Sequence, residues 1–466
     1  MNPTAEQLQE HIESLLRERK FWDVRATLRD VAPADVADTL MLLEPEEAAL
    51  AFRLLPRDHS GDAFAEIEPD RQEQLIEELG AGAQPIVEAM DPDDRAELID
   101  ELPPKVARRL LAALKPADRR ETQAILGYPA ESVGRLMTPD YVRAKPDWSL
   151  GRVLQQIRQF GSDAETLANV YVTDAAGRLI DDIQIRKVLL ADPDETVESI
   201  MDERFEALSA YDDREQAVHQ MGRYDRFALP VVDSQGVLVG IVTADDVADV
   251  AEEEATEDIQ KLAGMEALED PYMRAPFLEM LKKRGGWLLL LFLGQLLTVA
   301  VLGHFEGQLA AVLVLFIPVI IASGGNTGTQ TASLLIRALA LQELGPADWL
   351  RVMRRELLAG VSLGLALGLF GFLGVLFWSA VGVAATPHPY LVAVSVGLAI
   401  LGIVLWAVLL GAMLPLLLQK LGFDPATVSS PMVATLMDVS GLVIYMAVAV
   451  SYTHLRAHET RSVIAY

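Results

Sequence analysis

The 466 residues exceed one ordinary domain, and their charge is split: residues 1–270 carry 28 Lys and Arg against 59 Asp and Glu, a net −31, while residues 271–466 carry 11 against 8, a net +3. An acidic half of that size disfavours nucleic acid and anionic lipid as partners. It stores self-repulsion that bound divalent cations relieve, although a merely soluble acidic surface would look the same by composition. Cysteine is absent and the seven His are scattered, which excludes disulfides and thiolate metal sites and offers little to zinc or copper.

The first 30 residues are charged and amphipathic rather than apolar, so no signal peptide is expected and the N-terminus is expected in the cytosol. Pro45, Pro69, Pro92 and Pro116 follow at spacings of 24, 23 and 24 residues, each after a dipeptide such as Leu43-Glu44 or Met90-Asp91. Helical patterns fill the intervals, for example residues 71–79 and 95–102. Each unit therefore reads as a short helical hairpin with Pro near a helix start, and residues 1–130 read as an all-α superhelical domain.

From residue 131 the pattern changes. Leu136-Met137-Thr138-Pro139 is echoed by Ile200-Met201-Asp202-Glu203, and each copy is followed by two strands around a turn, residues 170–179 and 229–242. Residues 131–199 and 200–248 thus resemble a tandem pair of α/β cystathionine-β-synthase-type (CBS) domains. In the second copy, Gly240-Ile241-Val242-Thr243-Ala244-Asp245-Asp246 matches the CBS pattern, which implies Thr243 and Asp246 as residues for a nucleotide ribose. The first copy departs from it with Gln184-Ile185-Arg186-Lys187.

Residues 245–270 read as one continuous helix crowded with Asp245, Asp246, Asp249, Glu252, Glu253, Glu254, Glu257 and Asp258. Like charges at i, i+3 and i+4 destabilise a helix by roughly a few tenths of a kcal/mol per pair. Either the helix is a solvated linker, or a divalent cation shared with neighbouring acids neutralises it.

Uncharged stretches run over residues 286–303, 309–336 and 357–419, the last divided by Thr386-Pro387-His388-Pro389, and a further apolar segment covers 431–450. At about 20 residues per span these give five spans within residues 281–450. Lys282, Lys283 and Arg284 precede span one; Arg337, Arg351, Arg354 and Arg355 follow span two; Lys420 follows span four. The loops at 303–308 and 384–389 hold no Lys or Arg, so alternation predicts a cytoplasmic N-terminus and an exported C-terminus. The tail, residues 451–466, differs in character and reads as non-native or unstructured.

One charge lies deep in a span. Asp438 stands seven residues past Pro431, roughly 10 Å into the helix, where a carboxylate facing lipid would cost several kcal/mol. No Lys or Arg occurs inside a span, and Ser429, Ser430, Thr435 and Ser440 surround it in sequence, so a water-lined ion path is the favoured reading. In span two, Ala322-Ser323-Gly324-Gly325-Asn326-Thr327-Gly328-Thr329-Gln330-Thr331 interrupts the apolar pattern. It is expected to break the helix where backbone lines a cavity, or to let helices approach closely.

The order of helical repeat, CBS pair, acidic helix and five spans, with Gly324-Gly325-Asn326-Thr327-Gly328 in span two and Pro431-Met432-Val433-Ala434-Thr435-Leu436-Met437-Asp438 in span five, resembles the MgtE-type Mg2+ transporters and channels over residues 1–450. The resemblance implies a homodimer in a bacterial inner membrane, with a pore lined by spans two and five through Gly324, Gly325, Asn326, Gly328, Ala434 and Thr435, and with Asp438 binding the ion. It implies a plug in residues 249–280, held closed by regulatory Mg2+. The metal positions carried over are Asp62 and Asp93 in the repeat domain, Asp213, Glu215, Asp225 and Asp246 in the second CBS domain, Asp249, Glu254, Glu257 and Asp258 in the plug, and Asp424 after span four. ATP in the CBS pair is a further implication.

The expected function is therefore Mg2+ transport gated by cytosolic Mg2+, with no enzyme chemistry, since no nucleophile is paired with a base. Two other readings stay open. One is a non-conducting membrane sensor of Mg2+ or nucleotide; the other is a CBS-regulated transporter of a different divalent cation such as Co2+ or Mn2+.

Overall fold

The structure, a computed structural model, describes residues 5–162, 164–268, 272, 275–305 and 311–464, with 57, 58, 70, 81, 311 and 451–464 by backbone alone. The chain forms two compact units, residues 1–251 and 252–466.

In the first unit, ten helices run from α1 (Ala5–Arg17) to α10 (Pro116–Ile125) among the described residues. Pro45, Pro69, Pro92 and Pro116 open α4 (Pro45–Phe52), α6 (Pro69–Leu79), α8 (Pro92–Glu101) and α10, and the residue before each is extended, with ψ between 145° and 154°. Proline at the first position has no N–H to lose, and its ring drives the preceding residue out of the helical region. The 24-residue repeat is thus a repeat of helix starts. Its apolar residues, from Ile12 through Phe52 and Ile76 to Leu110, form one continuous core.

Two three-stranded sheets follow, accompanied by α11 (Leu150–Phe160), α12 (Ile185–Leu190), α13 (Val197–Ile200) and α14 (Glu215–Tyr224). In one, β1 (Arg143–Ala144) runs parallel to β2 (Asn169–Thr173), which pairs antiparallel with β3 (Leu179–Gln184). In the other, β4 (Leu208–Ser209), β5 (Ala228–Val232) and β6 (Leu238–Thr243) repeat that order. Gly177 and Gly236 take positive φ in the two hairpin turns, as such turns require. Their carbonyls accept from Leu238 N at 3.0 Å and Leu179 N at 3.1 Å respectively, so each hairpin is tied to the other. Tyr171, Leu238 and Ile241 share a core between the modules.

α15 (Ala244–Leu262) leads from the first unit into the second. The acidic helix expected to be continuous to residue 270 stops at Leu262: Gly264 has φ +80° and donates to the Lys261 carbonyl at 2.9 Å, a left-handed turn that glycine tolerates and a helix cannot continue through. Glu269 and Asp270 lie outside the described residues.

The second unit contains α16 (Phe277–Phe305), α17 (Ala311–Val314), α18 (Ile317–Ala340), α19 (Trp349–Ala380), α20 (Pro389–Lys420) and α21 (Ser430–Ile464). Five segments, 277–305, 312–340, 346–380, 389–420 and 430–450, are long and apolar enough to cross a membrane. α20 packs against α18, α19 and α21 and holds much of the core, whereas α16 buries no residue fully. Gly368 and Gly397 bring α19 and α20 so close that a Cβ on Gly368 would lie 2.8 Å from the Gly397 carbonyl oxygen; small residues allow this van der Waals packing.

Two expectations change here. The glycine run of span two does not break the helix, because α18 is continuous from Ile317 to Ala340. The break falls earlier, between α17 and α18, where the Tyr445 hydroxyl donates to the Leu313 carbonyl at 2.6 Å and satisfies an acceptor that membrane depth would otherwise leave bare. The tail, expected to be non-native or unstructured, has the backbone of α21 as far as Ile464. The loop residues 306–310 lie outside the described residues.

Candidate ion site and acidic cluster

Asp438 sits half-buried on α21, and its Oδ2 accepts a hydrogen bond from the Gln295 side-chain amide on α16. The sequence offered no basic donor for this carboxylate, and a neutral amide fills the role. Gln295 is the one amide among the leucines of span one, which is the signal the sequence carries for it. α16 reaches α21 through Gly294, where a Cβ would lie 2.7 Å from Thr435 Cγ2. Next along α21, the Trp406 indole donates to Ser440 Oγ at 3.0 Å. At its start, the buried Ser429 hydroxyl accepts from Met432 N at 3.3 Å, as an N-cap does.

The span-two residues divide by face. Gly324 and Gly328 are buried in a seam: their Cβ atoms would meet Ile403 Cγ2 at 2.6 Å and Val433 Cγ1 at 3.0 Å. Gly325 faces Ala434 at 3.9 Å. Asn326 and Gln330, one turn apart, are exposed on the opposite face. Within one chain, then, Gly324 and Gly328 act by close packing, which is the second of the two readings of the run, and Asn326 occupies the open face.

Near the foot of α15, Lys261 Nζ lies 2.6 Å from Glu257 Oε1 and 2.7 Å from Asp424 Oδ2. The other oxygen of Asp424 accepts from Ala426 N at 2.8 Å, so the turn after α20 orients the carboxylate. Burial alone would lower the Lys261 pKa, but hydrogen bonds to Asp424 and Glu257 hold it above the ordinary lysine value.

In the first unit the acids at α8 and at the start of α15 act on one another's charge. Asp93 is 8% exposed and its Oδ1 has no hydrogen-bond partner among the described residues. Burial, then the charges of Asp246 and Asp94, push its carboxyl well above the usual range. Burial followed by Asp246 raises Asp94 to about 7, and burial followed by Asp91 and Asp246 raises Glu165 to about 7. Asp246 itself is pushed to about 6 by burial, against the opposing hydrogen bond from Thr243. Asp62 enters through its charge on Asp91. A divalent cation would relieve the repulsion among these oxygens, one of them orphaned. Asp62, Asp93 and Asp246 are among the positions the resemblance implies; Asp91 and Asp94 lie beside Asp93 in sequence, and nothing in the sequence points to Glu165.

Other expected ligands stay apart. Asp213 and Glu215 stand at the start of α14 (Glu215–Tyr224), and Asp225 caps its end in a left-handed conformation. Ten residues of helix span about 15 Å, so these three do not converge within one chain. Asp249, Glu254 and Asp258 are spread along α15. Thr243 Oγ1 lies between Asp245 and Asp246, 2.7 Å from the latter, so the expected ribose pair is bonded to itself. Among the described residues no three His, Asp or Glu are placed to hold a metal ion by themselves.

Against known proteins, residues 317–448 match the MgtE divalent cation transporter family, residues 31–131 the MgtE intracellular N domain and residues 197–253 the CBS domain. The chain is 38% identical over 450 residues to the magnesium transporter MgtE of Thermus thermophilus, covering 95% of this chain and 98% of that one. It is 30% identical to the Bacillus subtilis magnesium transporter MgtE, over 97% and 99% of the two chains. A crystal structure of the cytosolic domain of the Mg2+ channel MgtE in complex with ATP is similar at 31% identity and TM-score 0.50, over 52% of this chain and 99% of that one.

Proposed function

The chain belongs to the MgtE family of divalent cation transporters, and from that premise we propose that it conducts Mg2+ through its five-span domain and is closed by Mg2+ bound to its acidic domains. The observation that carries the reading is Asp438, a carboxylate within a span held by the Gln295 amide rather than by a cation. Mg2+ sheds water reluctantly and prefers octahedral oxygen coordination. A carboxylate lining a path can therefore select it as a hydrated ion by charge and cavity size. One chain supplies one such carboxylate, and we propose a homodimer whose twofold axis brings two copies of Asp438 together. Asn326 on the open face of α18, with Ala434 and Thr435, would line the path, and Gly324, Gly325 and Gly328 would shape it by packing.

The proposed domains are residues 1–130, 131–199, 200–248, the plug segment 249–280, the spans 281–450 and a tail 451–466. Asp62, Asp93 and Asp246 would hold one regulatory ion, with Asp91, Asp94 and Glu165 beside them. Asp213, Glu215 and Asp225, apart within one chain, would have to meet Asp249 or groups of the second copy. Glu254, Glu257, Asp258 and Asp424 would serve at the plug. When Mg2+ is scarce, repulsion among Asp62, Asp91, Asp93, Asp94, Glu165 and Asp246 loosens the closed arrangement; bound ions favour the closed state and shift the population toward it. The Lys and Arg pattern supports a cytoplasmic N-terminus and an exported C-terminus in a bacterial inner membrane.

ATP in the CBS pair belongs to the same proposal, on the strength of the similar ATP-bound domain. Thr243 and Asp246 would have to give up their mutual hydrogen bond to take a ribose, which counts against that pair. A non-conducting sensor would leave a carboxylate within a span without a purpose. Mg2+ entry into proteoliposomes, followed with an internal indicator, is expected to fall at least about tenfold in Asp438→Ala, the loss of an ion-binding charge worth at least about 1.4 kcal/mol. Undiminished entry would remove Asp438 from the path.

A further inference from the structure

α15 carries eight acidic residues and a single basic one, Lys261, in its last turn. A cation there suits the negative end of the helix dipole, and Glu257 four residues earlier is the favourable order for an i, i+4 pair. The ammonium reaches further, across to Asp424, 163 residues later in the chain. Lys261, Glu257 and Asp424 are only 27%, 32% and 39% exposed at their side chains, so the contact is part of a packed foot rather than a loose surface pair.

The surroundings build that foot. Gly264 lies against the start of α21, where a Cβ would sit 3.1 Å from Pro431 Cγ and 3.3 Å from Ser429 Oγ. Leu262 packs on the core of the spans. Gln260 Oε1 accepts from Leu268 N at 2.7 Å and fixes the chain that leaves the turn. Without a cation between them, Glu257 and Asp424 would repel across this contact.

We infer that Lys261 is a built-in competitor for the divalent cation at Glu257 and Asp424: its ammonium holds the foot of α15 on the loop between α20 and α21 when Mg2+ is low, and sets the Mg2+ concentration needed to take that place. The inference rests on the gating reading above and names the residue that tunes it. A lysine is a monovalent, tethered ion; it keeps the foot docked while leaving the acids upstream of it to respond to Mg2+. The threshold then depends on how tightly one ammonium holds two carboxylates. Lys261 is a positioning residue here, since it touches the carboxylates and not the conducted ion.

Because the chain has no cysteine, paired spin labels can be placed at Ile259→Cys and Phe423→Cys, both exposed positions, in the full-length protein in nanodiscs. Distances are measured in EDTA and across a Mg2+ titration. With Lys261 present, the short, docked distance is expected in EDTA. In Lys261→Met it should broaden in EDTA and return with Mg2+ at a concentration roughly three- to tenfold below that at which Mg2+ replaces the lysine in the parent, as two partly exposed ion pairs imply. That parent value is read as the half-point of Mg2+ protection of the α20–α21 loop from thermolysin. Lys261→Arg should stay docked in EDTA. A Met variant docked in EDTA like the parent, one that Mg2+ never redocks, or one with an unchanged or higher half-point overturns the inference. A parent that shows no Mg2+ response at all would instead sink the gating reading, while the EDTA distances still test the lysine tether.

Discussion

Asp438 and Asp93 are both carboxylates withdrawn from water, and their partners set their different uses. Asp438 is steadied by one amide, which on the proposed function leaves its charge available to a passing ion. Asp93 faces other acids, with an orphaned oxygen, so the arrangement is costly until something cationic joins it. The sign of the pH effect follows. Asp94, Glu165 and Asp246 have folded-state values of about 7, 7 and 6, above their usual range of about 4. Raised carboxyls favour the fold when protonated, so their contribution is fully present below about pH 4 and is lost as pH rises through about 6 to 7. Cation binding needs the deprotonated form. Thermal unfolding of the full chain in EDTA should therefore give a Tm that falls between about pH 5 and 8, and a Mg2+-induced rise that is larger at the higher pH. An equal Mg2+ effect at both ends would contradict the cluster as a cation site.

At the scale of elements, the spans hold together through close backbone approach. A Cβ on Gly411 of α20 would stand 2.5 Å from the Gly328 carbonyl oxygen and 3.2 Å from Thr331 Cβ, and backbone cannot step aside as a side-chain tip can. Gly411→Val is expected to cost about 1–3 kcal/mol of stability by overpacking, read as a lower unfolding midpoint in detergent; an unchanged midpoint would mean that α18 and α20 are not in this contact. The helix starts at Pro45, Pro69, Pro92 and Pro116, the paired hairpins and the five spans were legible because each is a local pattern. The glycine run was not: composition signals either a break or a tight seam, and only the partners Ile403, Val433 and Met437 decide for the seam. The end of α15 was hidden because the acidic pattern runs on past a glycine. Gln295, Glu165 and Lys261 were illegible for a common reason, since each is defined by a residue far away in sequence.

For the whole molecule, the uneven charge is the organising fact. The net −31 of residues 1–270 gives a reservoir of repulsion, and the proposed dimer would double it. Binding that favours one arrangement of such domains can close a path only to the extent that the ion prefers that arrangement. On the proposed function the same ion is both cargo and gatekeeper, with Asp438 serving the first role and the acids of α8 and α15 the second. The direct test is the current carried by the full-length protein in a planar bilayer while Mg2+ is raised on the side bearing the acidic domains. The account predicts a Mg2+ current that closes as that concentration rises, and that persists when Glu254, Glu257 and Asp258 are replaced by Gln, Gln and Asn. A chain that passes no Mg2+ current, or whose current ignores Mg2+ on that side, would contradict it.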